Sequence, residues 1–217
     1  MKHHEAVLFD MDGTLLDTLE DLADSMNEVL AARGFPAHPP AAYKQFVGLG
    51  IVRMIEQALP AAAGDDELLQ ACLDEMNRVY AERWACKTRL YPGIAATLSG
   101  LAKRKVPMAI FSNKPHEFTT VMAKHFLADW HFAAVLGARA GYPRKPDPAV
   151  ALEISGRLAV PPDRFLYVGD TGTDMATARA AGMTAVGVLW GFRDEAELTA
   201  GGAQAIIRAP GELPALL

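Results

Sequence analysis

The second half of the chain alternates short apolar runs with amphipathic segments, and this alternation constrains the fold more than any other feature of the sequence. Strands are predicted at residues 108–112, 132–136, 165–168 and 184–188, with helices before and between them. Parallel strands joined by helical connections have this pattern, because each connection packs a helix against one face of the sheet. The sequence therefore predicts an α/β fold, a Rossmann-like parallel sheet with helices on both faces.

A further apolar run at residues 6–9 predicts a first strand that is separated from the others by a long helical segment. Apolar residues recur at helical spacing over most of residues 18–84, without the alternating β-branched pattern of a strand. We therefore expect a core of residues 1–16 and 90–217, with a small all-helical cap domain, residues 17–89, inserted after the first strand.

Composition and charge argue against several classes of partner. The chain is 51% hydrophobic, which is ample for a buried core, and its formal net charge is −5. Nucleic acids and anionic membranes bind basic surfaces, so neither is an expected partner. No apolar stretch has the length of a membrane span, and residues 1–5 lead into the first strand without the apolar region of a signal peptide. We expect a cytoplasmic protein that is a monomer or a homodimer.

Two carboxylates follow the first strand directly. Asp10 and Asp12 belong to the segment 10–15, DMDGTL, which begins where the run 6–9 ends. Active sites of open α/β sheets lie at the carboxyl ends of their strands, where one carboxylate can attack a substrate and another can transfer a proton. Taken alone, the pair is better explained as two solubilising residues of a loop.

Three further polar sites lie at the ends of later strands or at the starts of helices. Ser112 ends one strand, Lys145 precedes a helix, and Asp170 and Asp174 follow another strand. Each has an ordinary explanation by itself, as a turn residue, a surface lysine or a helix cap. Their common position near one edge of the predicted sheet favours a single site.

In these four motifs the chain resembles the haloacid dehalogenase-like superfamily, in the phosphatase branch with a helical cap between its first and second motifs. Residues 10–15 match the first motif, Ser112 the second and Lys145 the third. Asp170, after Gly169, matches the fourth motif together with Asp174. The resemblance covers nearly the whole chain.

The resemblance implies a role for each of these residues in phosphoryl transfer. Asp10 is expected to attack phosphorus and to become an aspartyl phosphate, while Asp12 acts as the acid and then as the base. The Ser112 hydroxyl, the Lys145 charge and groups of Asn113 are expected to hold the phosphoryl oxygens.

The resemblance also implies a magnesium ion. Its expected ligands are the side chains of Asp10 and Asp170 and the backbone carbonyl of Asp12, hard oxygen donors of the kind that Mg²⁺ prefers. Asp174 is expected to support Lys145 or the surroundings of the metal. A structural calcium site is the alternative, but the spacing of an EF-hand loop is absent.

Within the superfamily, the acidic residue at position 12 favours phosphomonoester hydrolysis over dehalogenation. Residues 112–115, SNKP, look most like those of bacterial phosphoglycolate phosphatases. In the cap, residues 48–50 are a candidate lid loop and Arg53 is a candidate clamp for a substrate carboxylate, since a guanidinium binds carboxylates bidentately. The expected partner is a small phosphorylated metabolite. A β-phosphoglucomutase-like phosphosugar mutase and a pyrophosphatase remain alternatives.

Two hypotheses from other classes are weaker. A phospho-receiver signalling module also combines acidic residues, a Ser or Thr, a Lys and magnesium, but its acceptor aspartate typically lies in mid-chain rather than after the first strand. An inactive binding protein of the same superfamily is expected to lack at least one of Asp10, Asp12, Lys145 and Asp170, and all four are present.

Overall fold

The computed structural model describes residues 4–217. Met1–His3, and with them most of the segment 1–5 discussed above, lie outside the described residues. Over the described residues the chain has eight strands, which we number in chain order. They are β1 (Ala6–Phe9), β2 (Leu16–Asp17), β3 (Arg89–Leu90), β4 (Met108–Pro115), β5 (Ala134–Ala138), β6 (Phe165–Gly169), β7 (Thr184–Val188) and β8 (Ala205–Ile207).

Six of these strands form one parallel sheet in the order β5-β4-β1-β6-β7-β8. Strand β1 is central and pairs with β4 on one side and β6 on the other. From β1 the chain runs outward through β4 to β5 and then returns to β6 on the other side of β1. The strand order therefore reverses beside β1, the topological position where ligands bind in open α/β sheets. The predicted α/β fold with a parallel sheet is confirmed.

Helices connect and cover the strands. The α-helices, again in chain order, are α1 (Leu19–Ala32), α2 (Pro40–Phe46), α3 (Ile51–Ala58), α4 (Asp66–Arg83), α5 (Ile94–Lys103), α6 (His116–Phe126), α7 (Ala149–Leu158), α8 (Gly172–Ala180) and α9 (Glu195–Gly201). No helix of residues 4–217 combines the length and the apolar character needed to cross a membrane.

The central strand shows why helices lie on both faces of the sheet. Successive side chains of a strand point to opposite faces. Val7 and Phe9 accordingly belong to one apolar cluster, with α5 and α6, whereas Ala6 and Leu8 belong to a second cluster, with α7, α8 and α9. All four side chains are buried, so β1 needs apolar cover on each side, as parallel strands generally do.

Helices α1–α4 follow one another between β2 and β3 and have an apolar cluster of their own. Its buried residues come from these helices and their loops, with the exception of Phe192, which the β7–α9 connection contributes. The antiparallel pair β2–β3 joins the two ends of this segment, with Leu16 opposite Leu90. The helical character predicted for this part of the chain is confirmed, while its division into a separate domain stays a prediction.

Candidate active site

Asp10, Ser112 and Asp170 are brought together by the order of the strands. Asp10 follows β1, Ser112 lies in β4 and Asp170 follows β6, and these three strands are neighbours in the sheet. All three side chains are buried. Parallel strands end at the same edge, so the sheet gathers the predicted motifs at one place.

Lys145 lies between two carboxylates at this edge. Its Nζ is 3.0 Å from Asp10 Oδ1 and 2.7 Å from Asp174 Oδ1. The Met11 N–H also donates to Asp10 Oδ1, at 2.6 Å. Burial raises the pKa of the Asp10 carboxyl to about 7, although the Lys145 ammonium acts in the opposite direction. The Lys145 charge therefore does not fully offset the effect of burial on the pKa of Asp10.

Asp174 combines a capping role with its contact to Lys145. Its Oδ2 accepts hydrogen bonds from the Thr171 N–H and hydroxyl, while its own N–H donates to the Thr171 hydroxyl, which makes a capping box at the start of α8. The other oxygen, Oδ1, accepts from Lys145. The capping box of α8 thus fixes the Asp174 carboxylate in the orientation that holds Lys145.

Asp170 completes a cluster of carboxylates that fits a divalent cation. Oxygen atoms of Asp10, Asp170 and Asp174 lie within 4.8 Å of one another, and all three residues are buried. Burial, together with the two neighbouring carboxylates, raises the pKa of Asp170 well above its usual range. Its oxygens accept hydrogen bonds from the Thr14 hydroxyl, at 3.0 Å, and from the Phe192 N–H, at 2.9 Å. Buried, oxygen-only groups of this kind suit a hard ion such as Mg²⁺.

Two glycines allow the backbone to approach Asp170 closely. Gly13 has a φ of +80°, and a Cβ at this position would lie 2.2 Å from Asp170 Oδ2. A Cβ at Gly191 would lie 2.3 Å from Asp170 Cβ and 2.4 Å from the Gly13 carbonyl oxygen. The backbone can therefore approach Asp170 this closely only because both positions are glycine.

Asp12 forms an ion pair with Lys114, a residue whose part in the site the sequence analysis missed. Lys114 Nζ lies 3.2 Å from each Asp12 carboxylate oxygen and 4.6 Å from the centre of the Tyr80 ring. Burial alone would lower the pKa of Lys114, but Asp12 and Tyr80 together more than offset this effect, so the pKa lies above its usual range. A signal was present, because Lys114 follows Ser112 by two positions in a strand that continues to Pro115.

The Asn113 side chain ties two loops to β4. Its Oδ1 accepts a hydrogen bond from the Lys145 N–H, at 2.9 Å, and its Nδ2 donates to the Gly48 carbonyl, at 3.1 Å. Asn113 therefore fixes the position of the Lys145 backbone and of the predicted lid loop. Its side chain contacts these backbone groups, and Asn113 also lines the cavity that contains Asp10.

The cavity that contains Asp10 and Asp12 is narrow, with about 40 Å³ of space for water. Ser112 and Lys114 line it on the side of the sheet, and the helical segment covers it with mostly apolar side chains and the loop 48–50. The residues from this segment are Leu22, Val47, Gly48, Gly50, Ile51, Met54 and Tyr80.

Arg53 does not reach this cavity. Ile51 and Met54 line it from α3, whereas the Arg53 side chain is 65% exposed and pairs with Glu56 at 2.7 Å. Each residue of an α-helix is rotated by about 100° from the last, so position 53 faces away when positions 51 and 54 face inward. The structure does not bring the candidate carboxylate clamp to the other site residues.

The loop 190–193 connects the site to the helical segment. The Phe192 N–H donates to Asp170, while its ring packs in the apolar cluster of α1–α4. Arg193 donates to the carbonyls of Val47, at 2.9 Å, and Gln45, at 3.2 Å. One loop therefore contacts both a candidate metal ligand and the segment that covers the cavity.

Comparison with known proteins finds phosphatases among the proteins that this chain resembles. A phosphoglycolate phosphatase of Mesorhizobium japonicum is 37% identical over 194 residues, covering 87% of this chain and 84% of that protein. One of Chromobacterium violaceum is 32% identical over 203 residues, covering 92% and 91%. The crystal structure of a predicted phosphoglycolate phosphatase from Haemophilus somnus superposes with a TM-score of 0.90 at 25% identity, covering 100% of this chain and 99% of that one.

The family assignment follows from the extent of the match. The family model described as haloacid dehalogenase-like hydrolase matches residues 7–188, which include all four motifs of the site. The chain belongs to the family of haloacid dehalogenase-like hydrolases.

Proposed function

We propose that this enzyme is a Mg²⁺-dependent phosphatase that hydrolyses small phosphorylated metabolites through an aspartyl phosphate on Asp10, and that phosphoglycolate is its preferred kind of substrate. The observation that carries the proposal is a buried carboxylate, Asp10, held by Lys145 at the base of a narrow cavity that Asp12 also lines. The relatives' phosphatase names support the same reaction.

Asp10 is the nucleophile in this proposal. The Lys145 ammonium and the Met11 N–H both contact Oδ1, so we assign the attack on phosphorus to Oδ2. A bond forms between Oδ2 and phosphorus while the bond from phosphorus to the ester oxygen breaks, and its electron pair stays on the departing oxygen. Water then hydrolyses the aspartyl phosphate, which divides one difficult displacement into two easier ones.

Asp12 moves the protons of both steps. It gives a proton to the departing ester oxygen and then takes one from the water that attacks the aspartyl phosphate. Lys114 contacts both Asp12 oxygens and orients this carboxyl group toward the cavity. The Ser112 hydroxyl and the Lys145 ammonium bind the phosphoryl oxygens, where negative charge is concentrated.

The carboxylate cluster would hold the metal ion. Asp10 and Asp170, with the backbone carbonyl of Asp12, would bind Mg²⁺, and Asp174 would keep Lys145 in place beside them. When bound, Mg²⁺ supplies positive charge that reduces the repulsion between the Asp10 carboxylate and the phosphoryl group. In the same proposal, helices α1–α4 act as a cap that excludes water and larger substrates from the cavity.

The proposal is tested by phosphate release with phosphoglycolate, phosphosugars, nucleotides and pyrophosphate, in Mg²⁺ and in EDTA. We expect Mg²⁺-dependent release that is fastest with phosphoglycolate and that Asp10→Asn abolishes. Asp163→Asn, which neutralises an exposed aspartate outside the site, is the matched control and should keep full activity. Substantial Mg²⁺-dependent release by Asp10→Asn would refute the assignment of the nucleophile, and isomerisation of a phosphosugar without release would indicate a mutase.

A further inference from the structure

Lys114 places a buried positive charge beside Asp12, the residue that gives a proton to the departing ester oxygen in the proposed reaction. Its side chain is 4% exposed, and its Nζ contacts both Asp12 oxygens at 3.2 Å. The Tyr80 ring of α4 covers the ammonium from the side of the helical segment. The lysine is therefore held between the sheet and the cap.

The position of Lys114 relative to a substrate follows from the role of Asp12, so this inference rests on the proposed function. An acid must lie within about 2.6–3.2 Å of the oxygen that it protonates. Because Lys114 Nζ lies 3.2 Å from each Asp12 oxygen, an ester oxygen in contact with Asp12 lies within about 6 Å of the ammonium. Lys114 thus faces the part of the substrate that leaves, whereas Lys145 faces the phosphoryl group.

The cavity gives Lys114 a distinct chemical role. It is the one cationic residue that lines the cavity in the described part of the chain, and apolar side chains, including Leu22, Met54 and Phe118, form much of the remaining lining. An anionic group that enters such surroundings loses its hydration and needs a cation to compensate. The exposed Arg53 cannot provide this compensation from its present position.

We propose that Lys114 is a specificity residue that recognises a carboxylate two or three bonds from the ester oxygen of the substrate. The favoured substrate class is then the phosphate ester of a small 2-hydroxy acid, of which phosphoglycolate is the simplest member. The small volume of the cavity, about 40 Å³, agrees with a small substrate of this class. Tyr80 acts as a positioning residue that keeps the ammonium at this place.

The test compares phosphoglycolate with its carboxamide analogue, in which an uncharged amide of similar shape replaces the carboxylate. kcat/KM is measured for both compounds with the purified full chain in Mg²⁺, and the ratio of the two values reports recognition of the charge. Lys114→Met removes the charge and keeps most of the side-chain volume. Lys103→Met, on the exposed surface of α5, is the matched control.

We expect the wild-type enzyme and Lys103→Met to favour phosphoglycolate, and Lys114→Met to reduce that ratio by about 10- to 100-fold, as expected for loss of a hydrogen bond between charged groups. Equal losses on both compounds in Lys114→Met, with an unchanged ratio, would overturn the inference, because they would show that the lysine acts only through Asp12.

The wild-type enzyme decides the inference even if Lys114→Met does not fold. Mg²⁺-dependent hydrolysis of both compounds with a ratio near one would overturn the role of Lys114 and leave the proposed phosphatase intact. Absence of hydrolysis of either compound, together with no activity on the wider panel, would overturn the proposed function itself.

Discussion

Replacing Gly191 by alanine tests whether the loop 190–193 sets the geometry of the candidate metal site. The added Cβ would lie 2.3 Å from Asp170 Cβ and 2.4 Å from the Gly13 carbonyl oxygen, whereas ordinary contacts begin at 3.4 Å. The atoms must therefore separate by about 1 Å, and both neighbours belong to the backbone around the site or are attached directly to it. Misplacement of reacting groups by about 1 Å can reduce a rate by about 100-fold.

The assay measures phosphate release by Gly191→Ala as a function of Mg²⁺ concentration. We expect kcat/KM to fall by about 100-fold, and half-saturation to need more Mg²⁺, because Asp170 is displaced. Overpacking should also lower the free energy of unfolding by about 1–3 kcal/mol. Gly100→Ala is the matched control, since it lies within α5 and a Cβ there meets no atom within 4 Å. Wild-type kcat/KM and Mg²⁺ dependence in Gly191→Ala would refute the reasoning.

Three further predictions concern the charges of the site and the base of the helical segment. In EDTA, the melting temperature should fall as the pH rises from 4 to 7. Burial raises the pKa of Asp10 to about 7 in the folded protein, so over this range the unfolded chain loses the Asp10 proton more readily than the folded protein does. A melting temperature that rises over this range would contradict the burial argument. Lys145→Met should lower the free energy of unfolding by about 3–5 kcal/mol in urea denaturation, since it leaves Asp10 and Asp174 buried without their cation, and a loss below 1 kcal/mol would contradict this. Asp21→Ala should lower the free energy of unfolding by about 2–4 kcal/mol. The Asp21 carboxylate accepts hydrogen bonds from the Lys87 and Thr88 N–H groups, at 3.0 and 2.8 Å, and these bonds join the end of the helical segment to its beginning. An unchanged urea midpoint would show that water replaces these hydrogen bonds.

The sequence predicts the larger helices and strands because each contains enough apolar residues for their period to be recognised. Strands β1, β6 and β7 and the helices between β4 and β7 each contain several apolar residues at a consistent period, and their approximate positions were predicted. Strands β2 and β3 have two residues each and β8 has three, so no period can be recognised in them. Strand β4 continues to Pro115, beyond its predicted end at residue 112, because it pairs with β5 as far as Ala138.

Some contacts of the candidate site can likewise be inferred from the sequence, and others cannot. Asp10 and Asp170 follow buried strands and Ser112 lies within one, so their convergence can be inferred from the order of motifs along the chain. The contact between Lys114 and Tyr80 joins β4 to α4, and it depends on how the helical segment lies over the sheet. No local pattern contains that information. The prediction for Arg53 had the same weakness, since the residue type was suitable but its rotation about α3 was unknown.

The position of the helical segment and the geometry of the candidate metal site depend on the same short piece of backbone. The Phe192 N–H donates to Asp170 while the Phe192 ring lies in the apolar cluster of α1–α4, and Arg193 donates to the carbonyls of Gln45 and Val47, which precede the loop 48–50. Displacement of the loop 190–193 must alter both the hydrogen bond to Asp170 and the packing against α1–α4, because Phe192 makes both contacts. A displacement of the loop 48–50 is therefore expected to alter the position of Asp170, and a displacement of Asp170 to alter that loop, even though the covering helices and the sheet have separate apolar clusters.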